Sequence, residues 1–529
     1  MKVMINTIEN IGNMYCNFWG VGLYGALFLL AIIYLIIFEK DKNKQKLFLG
    51  YTFIFTLLYL FPITAYIIMQ YGTGYRGYWR MFWLLPVTGL IAYVLTEIVF
   101  YSKGQLKRVL VMVLFLFLIV TQGNNLYKSD NYNKSTNLYQ MNQDTIVIAD
   151  AIEEDAEAMG IAQPGVLMPN AIAVDIRQYD ANIRMPYGGD AIRGDKVSPT
   201  SKKIFELMNA DNLDPASVVY YASQGNYQYL VYPTGLNKDQ IVAAGYTLIK
   251  DVGNYYIYRM TPDAVPDKSW LITQYGEQTN QMMFYTLQDK QGHLIVVDGG
   301  WEYNAENVKK VIRQLGNHVD AWILTHPHED HMGAFCEVYD KLGNIKIDKV
   351  YTVDMASPDL CLANAPWDHV DVYKRFLSLK IPQLQLVHSG DKLSVGDLKI
   401  NVLSAYEDHV DQLSNELLND GSMMFKVQGN TQSMLFCADV GRFMSDYLVD
   451  KYEDTLKSDY IQMGHHGNGG LKSPFYTIVA PKVAFFDAPD WLFYDSNGNY
   501  TTPENRQLMK SLKSTIVSFS TAPNSVILK

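Results

Sequence analysis

Three runs of apolar residues, 18–38, 48–69 and 81–101, follow one another near the start of the chain. Each has the length of a bilayer-spanning helix, about 20 residues for a hydrocarbon core about 30 Å thick. A soluble helix that seats one face on a core needs far fewer apolar positions. A fourth run, 109–120, is shorter, and Lys107 and Arg108 extend its reach by snorkelling. The expectation is four transmembrane helices in a membrane region covering 1–123. A secretory signal is excluded, because Lys40, Lys42, Lys44 and Lys46 lie on the C-terminal side of the first run and no small-residue cleavage pattern follows it. These lysines and the group Lys103, Lys107, Arg108 outweigh Lys2, Arg76 and Arg80 on the other side. The positive-inside rule puts the first two groups in the cytoplasm. With four spans, the rest of the chain then lies outside it; with three, the orientation inverts.

The remainder reads as soluble. Four cysteines (Cys16, Cys336, Cys361, Cys437) without CxxC spacing exclude a disulfide framework or a zinc knuckle. The formal charge of −10 disfavours a domain built to hold a long polyanion. Residues 124–262 are expected to form a small extracytoplasmic α/β or α+β domain. A helix is expected over 145–159 and short strands at 165–167, 218–221, 227–232, 246–249 and 255–259, with a proline-bearing linker at 261–268. Runs 78–86 and 253–259 resemble the last spans and extracytoplasmic tail of multispanning polysaccharide-biosynthesis membrane proteins. That resemblance implies envelope-biosynthesis proteins as partners, beside the lipid bilayer itself.

The most informative stretch is Thr325-His326-Pro-His328-Glu-Asp330-His331-Met-Gly333, which follows the apolar strand 322–324. Pro327 forbids a helix across the pair and biases His326 toward an extended backbone, so His326 and His328 point the same way toward one ion. Asp330 and His331, at the turn into the next helix, face a second. Imidazoles with hard carboxylate oxygens suit zinc and also accept manganese.

The spacing His326-x-His328-x-Asp330-His331 resembles the signature of the metallo-β-lactamase superfamily, and other segments follow in that family's order. A strand ending in Asp298 resembles its first motif, where the aspartate orients the metal loop. The segment 433–441 resembles the strand that ends in a metal-bridging aspartate, here Asp439. The pair His465-His466 before Gly467 resembles the His-His-Gly motif of the branch that includes the C-terminal domain of DNA-uptake competence channels and choline-phosphate esterases. Adjacent residues leaving a strand point to opposite sides, so one imidazole is expected to bind metal, His466 or else His465. The other would contact substrate or protonate the leaving group. Where many relatives carry a third-motif histidine, this chain has Asn419-Asp420-Gly421-Ser422, resembling the Asn-x-x-Ser of the competence branch. Asn419 and Ser422 are therefore expected beside the ligands, and His388 and His409 fall out of register.

The resemblance implies an αββα sandwich over 268–529 and an α/β fold class for the soluble part. It implies two divalent ions, zinc or manganese, held by His326, His328, Asp330, His331, Asp439 and His466 or His465. Asp330, His465 and His466 would carry the catalysis. The expected activity is hydrolysis by a hydroxide activated between the two metals, since paired ions lower the pKa of water from 15.7 toward ~7. The branch implies a phosphodiester substrate, either a small cell-envelope ester or nucleic acid. The expected location is a multi-pass membrane protein with its soluble domains outside the cytoplasm. The alternative is a non-catalytic binding or assembly module of the same fold attached to envelope polysaccharide synthesis.

Overall fold

The computed structural model describes residues 2–19, 23–122, 136–188, 197–235, 237–519 and 523–529. Two units emerge, Met1–Lys134 and Ser135–Lys529. In the first, apolar residues dominate the longer helices, such as Tyr24–Phe38, Tyr51–Leu60 and Val87–Tyr101. On helix Tyr24–Phe38, Phe28, Ala31 and Leu35 recur at helical spacing and are buried. They join Tyr59, Tyr78, Phe82 and Leu90 in one cluster. Their neighbours face outward: Phe53 is 68% exposed and Phe117 62%.

The four expected spans are corrected here. Among the described residues one helix, Gly77–Tyr101, is long and apolar enough to cross a membrane, or up to three spans if each bent pair counts as one. The run 48–69 is divided: helices Lys42–Leu60 and Pro62–Tyr71 meet at 74°. Pro62 is the cause. It lacks an N–H and pushes Phe61 into an extended conformation (φ −73°, ψ 120°), which ends the preceding helix. The run 18–38 is likewise shared between Lys2–Trp19 and Tyr24–Phe38, with part of the junction outside the described residues. The run 109–120 lies within helix Gln105–Gln122. The polar stretch after it falls largely outside the described residues.

In the second unit a four-stranded sheet runs in the order Val166–Leu167, Tyr229–Pro233, Tyr255–Met260, Tyr246–Asp251. Helix Gln143–Ala158 matches the expected helix. Residues 218–221, expected as a strand for their β-branched and aromatic content, lie instead in helix Pro215–Gln224. Local capping overrides propensity there: the Asp214 carboxylate accepts from Ser217 N at 3.3 Å, and Pro215 occupies the first turn. The segment expected as a free linker is packed. Ala264 and Val265 are buried in a cluster with Leu271 and Ile527, and Lys290 Nζ donates to the Val265 carbonyl at 2.9 Å.

Two seven-stranded sheets then face one another. The first has the order 384–387, 350–353, 321–323, 294–298, 284–289, 270–274, 524–528, and the second 392–395, 398–404, 424–428, 433–436, 460–462, 483–486, 515–518. The four strands from 384–387 to 294–298 are parallel, as are the four from 433–436 to 515–518. Their inner residues form one core, with Ile295, Trp322, Phe425, Phe436 and Phe485 fully buried. Helices Ala305–Gln314, Glu329–Asp340, Ser445–Tyr452, Ser473–Val479 and Thr502–Ser511 accompany the strands. The expected αββα layering is this arrangement, and it brings the carboxyl ends of both parallel sets to one edge, where open α/β sheets place their ligands.

Candidate metal centre

Each strand of the parallel sets that reaches this edge delivers a polar side chain. Strand Leu294–Asp298 ends in Asp298, strand Ala321–Ile323 runs into His326 and His328, and helix Glu329–Asp340 starts with Asp330 and His331 in its first turn. From the second sheet, strand Ser433–Phe436 leads to Asp439, and strand Tyr460–Gln462 to His465 and His466.

Two trios result. His326, His328 and Asp439 offer ligand atoms all within 4.8 Å of one another, and so do Asp330, His331 and His466. Asp439 joins them: its Oδ2 lies 3.9 Å from His326 Nε2 and 3.4 Å from His466 Nε2, and its Oδ1 3.3 Å from His331 Nε2. Nitrogens aim at nitrogens, with His326 Nε2 3.0 Å from His328 Nδ1 and His331 Nε2 3.4 Å from His466 Nε2. Asp439 Oδ1 is buried without a hydrogen bond. A buried carboxylate oxygen lacking a donor, ringed by imidazole nitrogens, is the donor set of a cation site, and these residues fit a pair of divalent ions.

The electrostatics agree. Burial, reinforced by the neighbouring His331 cation, holds His326 well below the usual imidazole range, so it stands ready as a neutral ligand. Burial opposes charge on His331 and His466 too, yet the Asp439 and Asp330 carboxylates outweigh it. His331 is raised well above the ordinary value and His466 to about 10. Against their own burial, Asp330 and Asp439 are held low by the His331 and His466 charges. Without metal, protons thus supply the positive charge this nest of carboxylates demands.

Backbone strain concentrates here. Asp298, Ala438, His465 and His466 all have positive φ (52°, 47°, 50°, 57°). Such conformations cost of order 1 kcal/mol or more each and persist where the surroundings over-determine them. They also correct the alternation expected of the adjacent histidines. Because both turn left-handed rather than extended, both reach one oxygen: His465 Nε2 lies 3.9 Å from Asp439 Oδ2, and His466 is at 3.4 Å from the same atom. His466 is buried in the second trio, whereas the His465 side chain is 34% exposed.

Around the ligands, Asp298 accepts from Thr325 N at 2.8 Å and Thr325 Oγ1 at 2.6 Å and meets His331 Nδ1 at 2.8 Å. Asn419 and Ser422, expected beside the ligands, bond none of them. Ser422 Oγ donates to the Leu418 carbonyl, and Asn419 Oδ1 is buried without a partner. Asp420 between them does the tying instead, accepting from Gly441 N at 2.6 Å in the loop after Asp439. Three contacts escaped the sequence reading altogether: Asp420 to Gly441, the Asp487 carbonyl to His466 Nδ1 at 3.1 Å, and Asp368 Oδ1 to His328 Nε2 at 2.7 Å. Asp368 and Asp487 lie in connections outside any patterned motif, whereas Asp420 sits inside the 419–422 segment at the end of helix Leu417–Asp420, between the two residues expected to matter. His388 and His409 join neither trio and line a separate cavity of about 500 Å³ with Asp354, Tyr406 and Glu407.

Comparison with known proteins agrees with the fold. The model of the Metallo-beta-lactamase superfamily matches residues 277–359. The hydroxyacylglutathione hydrolase of Photobacterium profundum is 29% identical over 128 residues, 23% of this chain and 49% of that protein. The hydroxyacylglutathione hydrolase of Serratia proteamaculans is 33% identical over 63 residues, 12% of this chain and 24% of that protein. The chain thus spans about half the length of the first relative and a quarter of the second. Among solved structures, the metallo-beta-lactamase fold protein YhfI from Bacillus subtilis is similar at 12% identity and a TM-score of 0.33, covering 49% of this chain and 98% of that one. CmlA, a diiron beta-hydroxylase from Streptomyces venezuelae, is similar at 13% identity and a TM-score of 0.32, covering 51% and 55%. The C-terminal region carries the metallo-β-lactamase superfamily fold.

Proposed function

We propose that this chain is a membrane-anchored, metal-dependent hydrolase that cleaves a phosphodiester of the cell envelope. One observation carries the reading: side chains from three distant stretches converge in two trios that share Asp439. His326, His328 and Asp439 would hold one divalent ion, and Asp330, His331 and His466 the other. Such ions supply Lewis acidity and bring the pKa of water toward neutrality.

The chain's own residues do the rest. Asp298 accepts from His331 Nδ1 behind the ring, which leaves Nε2 to face the centre. His465, the partly exposed imidazole beside Asp439, is placed to pass a proton to a departing oxygen at the open side. No cysteine nucleophile is available among those near the core: burial pushes the Cys336 and Cys361 thiols up to about 12, and Cys437 higher still.

The phosphodiester assignment rests on the His465-His466-Gly467 pattern and on Asn419-x-x-Ser422, which resemble the competence branch; the absent third-motif histidine instead favours the binding or assembly module. The acidic charge of −10 favours a small or cation-bearing ester over nucleic acid. The curated relatives suggest a thioester instead, and they define the competing outcome. The outward-facing side chains of the first unit support bilayer anchoring; the lysine distribution puts the soluble part outside the cytoplasm with an even number of spans and inside with an odd number, so protease accessibility of the soluble part in intact cells decides its side. The test uses the full chain purified in detergent. Close to two ions per chain and bis-(p-nitrophenyl) phosphate turnover that Asp330→Ala abolishes are expected. Turnover of a glutathione thioester alone would reassign the substrate. A metal-free, inert chain would favour the binding or assembly module.

A further inference from the structure

Every imidazole of the two trios has its rearward nitrogen engaged. Asp298 faces His331 Nδ1 at 2.8 Å, the Asp487 carbonyl faces His466 Nδ1 at 3.1 Å, and Thr325 Oγ1 lies 3.3 Å from His326 Nδ1. These three partners stand at or just beyond the ends of sheet strands, Leu294–Asp298, Val483–Phe486 and Ala321–Ile323. The fourth does not. His328 Nε2 meets Asp368 Oδ1 at 2.7 Å, and Asp368 belongs to the connection between helices Pro358–Asn364 and Asp371–Ser378.

We propose that Asp368 is the positioning residue of His328, and that through it this connection governs how tightly the cation of the His326, His328, Asp439 trio is held. The inference rests on the metal-dependent reading above. Asp368 can only accept, so a hydrogen on His328 Nε2 satisfies the 2.7 Å contact and leaves Nδ1 as the lone pair facing His326 Nε2 at 3.0 Å. Ring orientation is set at the same time: the His326 and His328 planes stand at 79° with centroids 4.8 Å apart. The carboxylate is itself fixed, since Oδ1 also accepts from His369 N at 2.9 Å, and only 14% of either side chain is exposed.

The mounting of this connection is equally specific. Arg375, one turn into helix Asp371–Ser378, bonds Glu337 and Asp340 at 2.8 Å each and Glu302 at 3.2 Å. Glu337 and Asp340 lie on helix Glu329–Asp340, whose first turn bears Asp330 and His331. Both cation positions are thereby referenced to one helix pair, the second trio directly and the first through Asp368.

The experiment is cobalt(II) titration of the full chain in detergent, followed by visible absorption and by calorimetry. Wild type is expected to bind in two steps. Asp368→Ala should weaken one step about 10- to 100-fold and leave the other unchanged, the usual size for loss of an orienting partner. Asp368→Asn, whose carbonyl still accepts from Nε2–H, should recover to within about threefold of wild type. Thermal melting of the metal-free variants should match wild type. Two unchanged steps in Asp368→Ala, or equal weakening of both steps, overturn the assignment while leaving the hydrolase reading intact. A wild-type chain that takes up no cobalt overturns both.

Discussion

The first unit and the candidate metal edge of the sandwich depart from the ordinary sorting of residues in opposite directions. In the first, Phe53, Leu57, Phe100 and Phe117 face outward. At the other, His326, Asp330, His331, Asp439 and His466 are taken out of water. Both arrangements are unfavourable for a chain alone in solution. Exposed apolar surface forgoes about 25 cal/mol per Å², and a buried ion costs several kcal/mol even after relaxation. Under the proposed function each deficit would be met by a partner that is not polypeptide, acyl chains in one case and cations in the other. Burial by itself marks only a core; inverted sorting marks where something else must sit.

The largest effect should break the buried half of that contrast. Asp439→Ala removes the one carboxylate both trios share, so phosphodiester turnover should fall on the order of 10³-fold, with metal content dropping alongside. Unchanged turnover would show that the convergence is incidental. The outward half is tested next: the full chain should resist carbonate extraction and partition into a detergent phase by about tenfold or more, given the apolar area displayed. Recovery in the aqueous phase would remove the bilayer from the account.

A third measurement sharpens the cation side. His331 and His466, the latter raised to about 10, carry protons at neutral pH in the metal-free chain, and metal must expel them. With His466 raised to about 10 and His331 raised as well, protons compete with metal through neutral and acid pH. Apparent affinity should therefore climb with pH and fall in acid, and calorimetry in two buffers near neutrality should register release of about two protons. Binding without proton release would contradict the geometry. The smallest effect is expected from Asn419→Ala and Ser422→Ala. Neither side chain bonds a ligand, and metal affinity should move by no more than about twofold, in the range of substitutions away from special features.

Most of the ligand set was legible because it is local or strictly ordered. His326, His328, Asp330 and His331 lie within one stretch of six residues, and Asp298, Asp439 and the histidine pair follow strand ends in the order of the motifs they resemble. What could not be read depends on contacts across the fold. Asp368 and His328 are 40 residues apart, and no periodicity links them. The shared orientation of His465 and His466 requires two left-handed residues in a row, which alternation along a strand forbids one to expect. In the first unit the apolar runs were plain, but one proline, Pro62, decided that length alone does not make a straight span. Residues 218–221 failed for a similar reason, since a capping aspartate and a proline at the helix start outweighed side-chain preference.

Trp322 offers an experimental consequence. Its indole is fully buried, and Nε1 donates at 3.0 Å to the backbone carbonyl of Asp298, the residue whose carboxylate steadies His331. A fluorine substituted on this ring is linked to the centre through a single intervening residue, so its resonance should shift when the site takes up an ion, without any substrate.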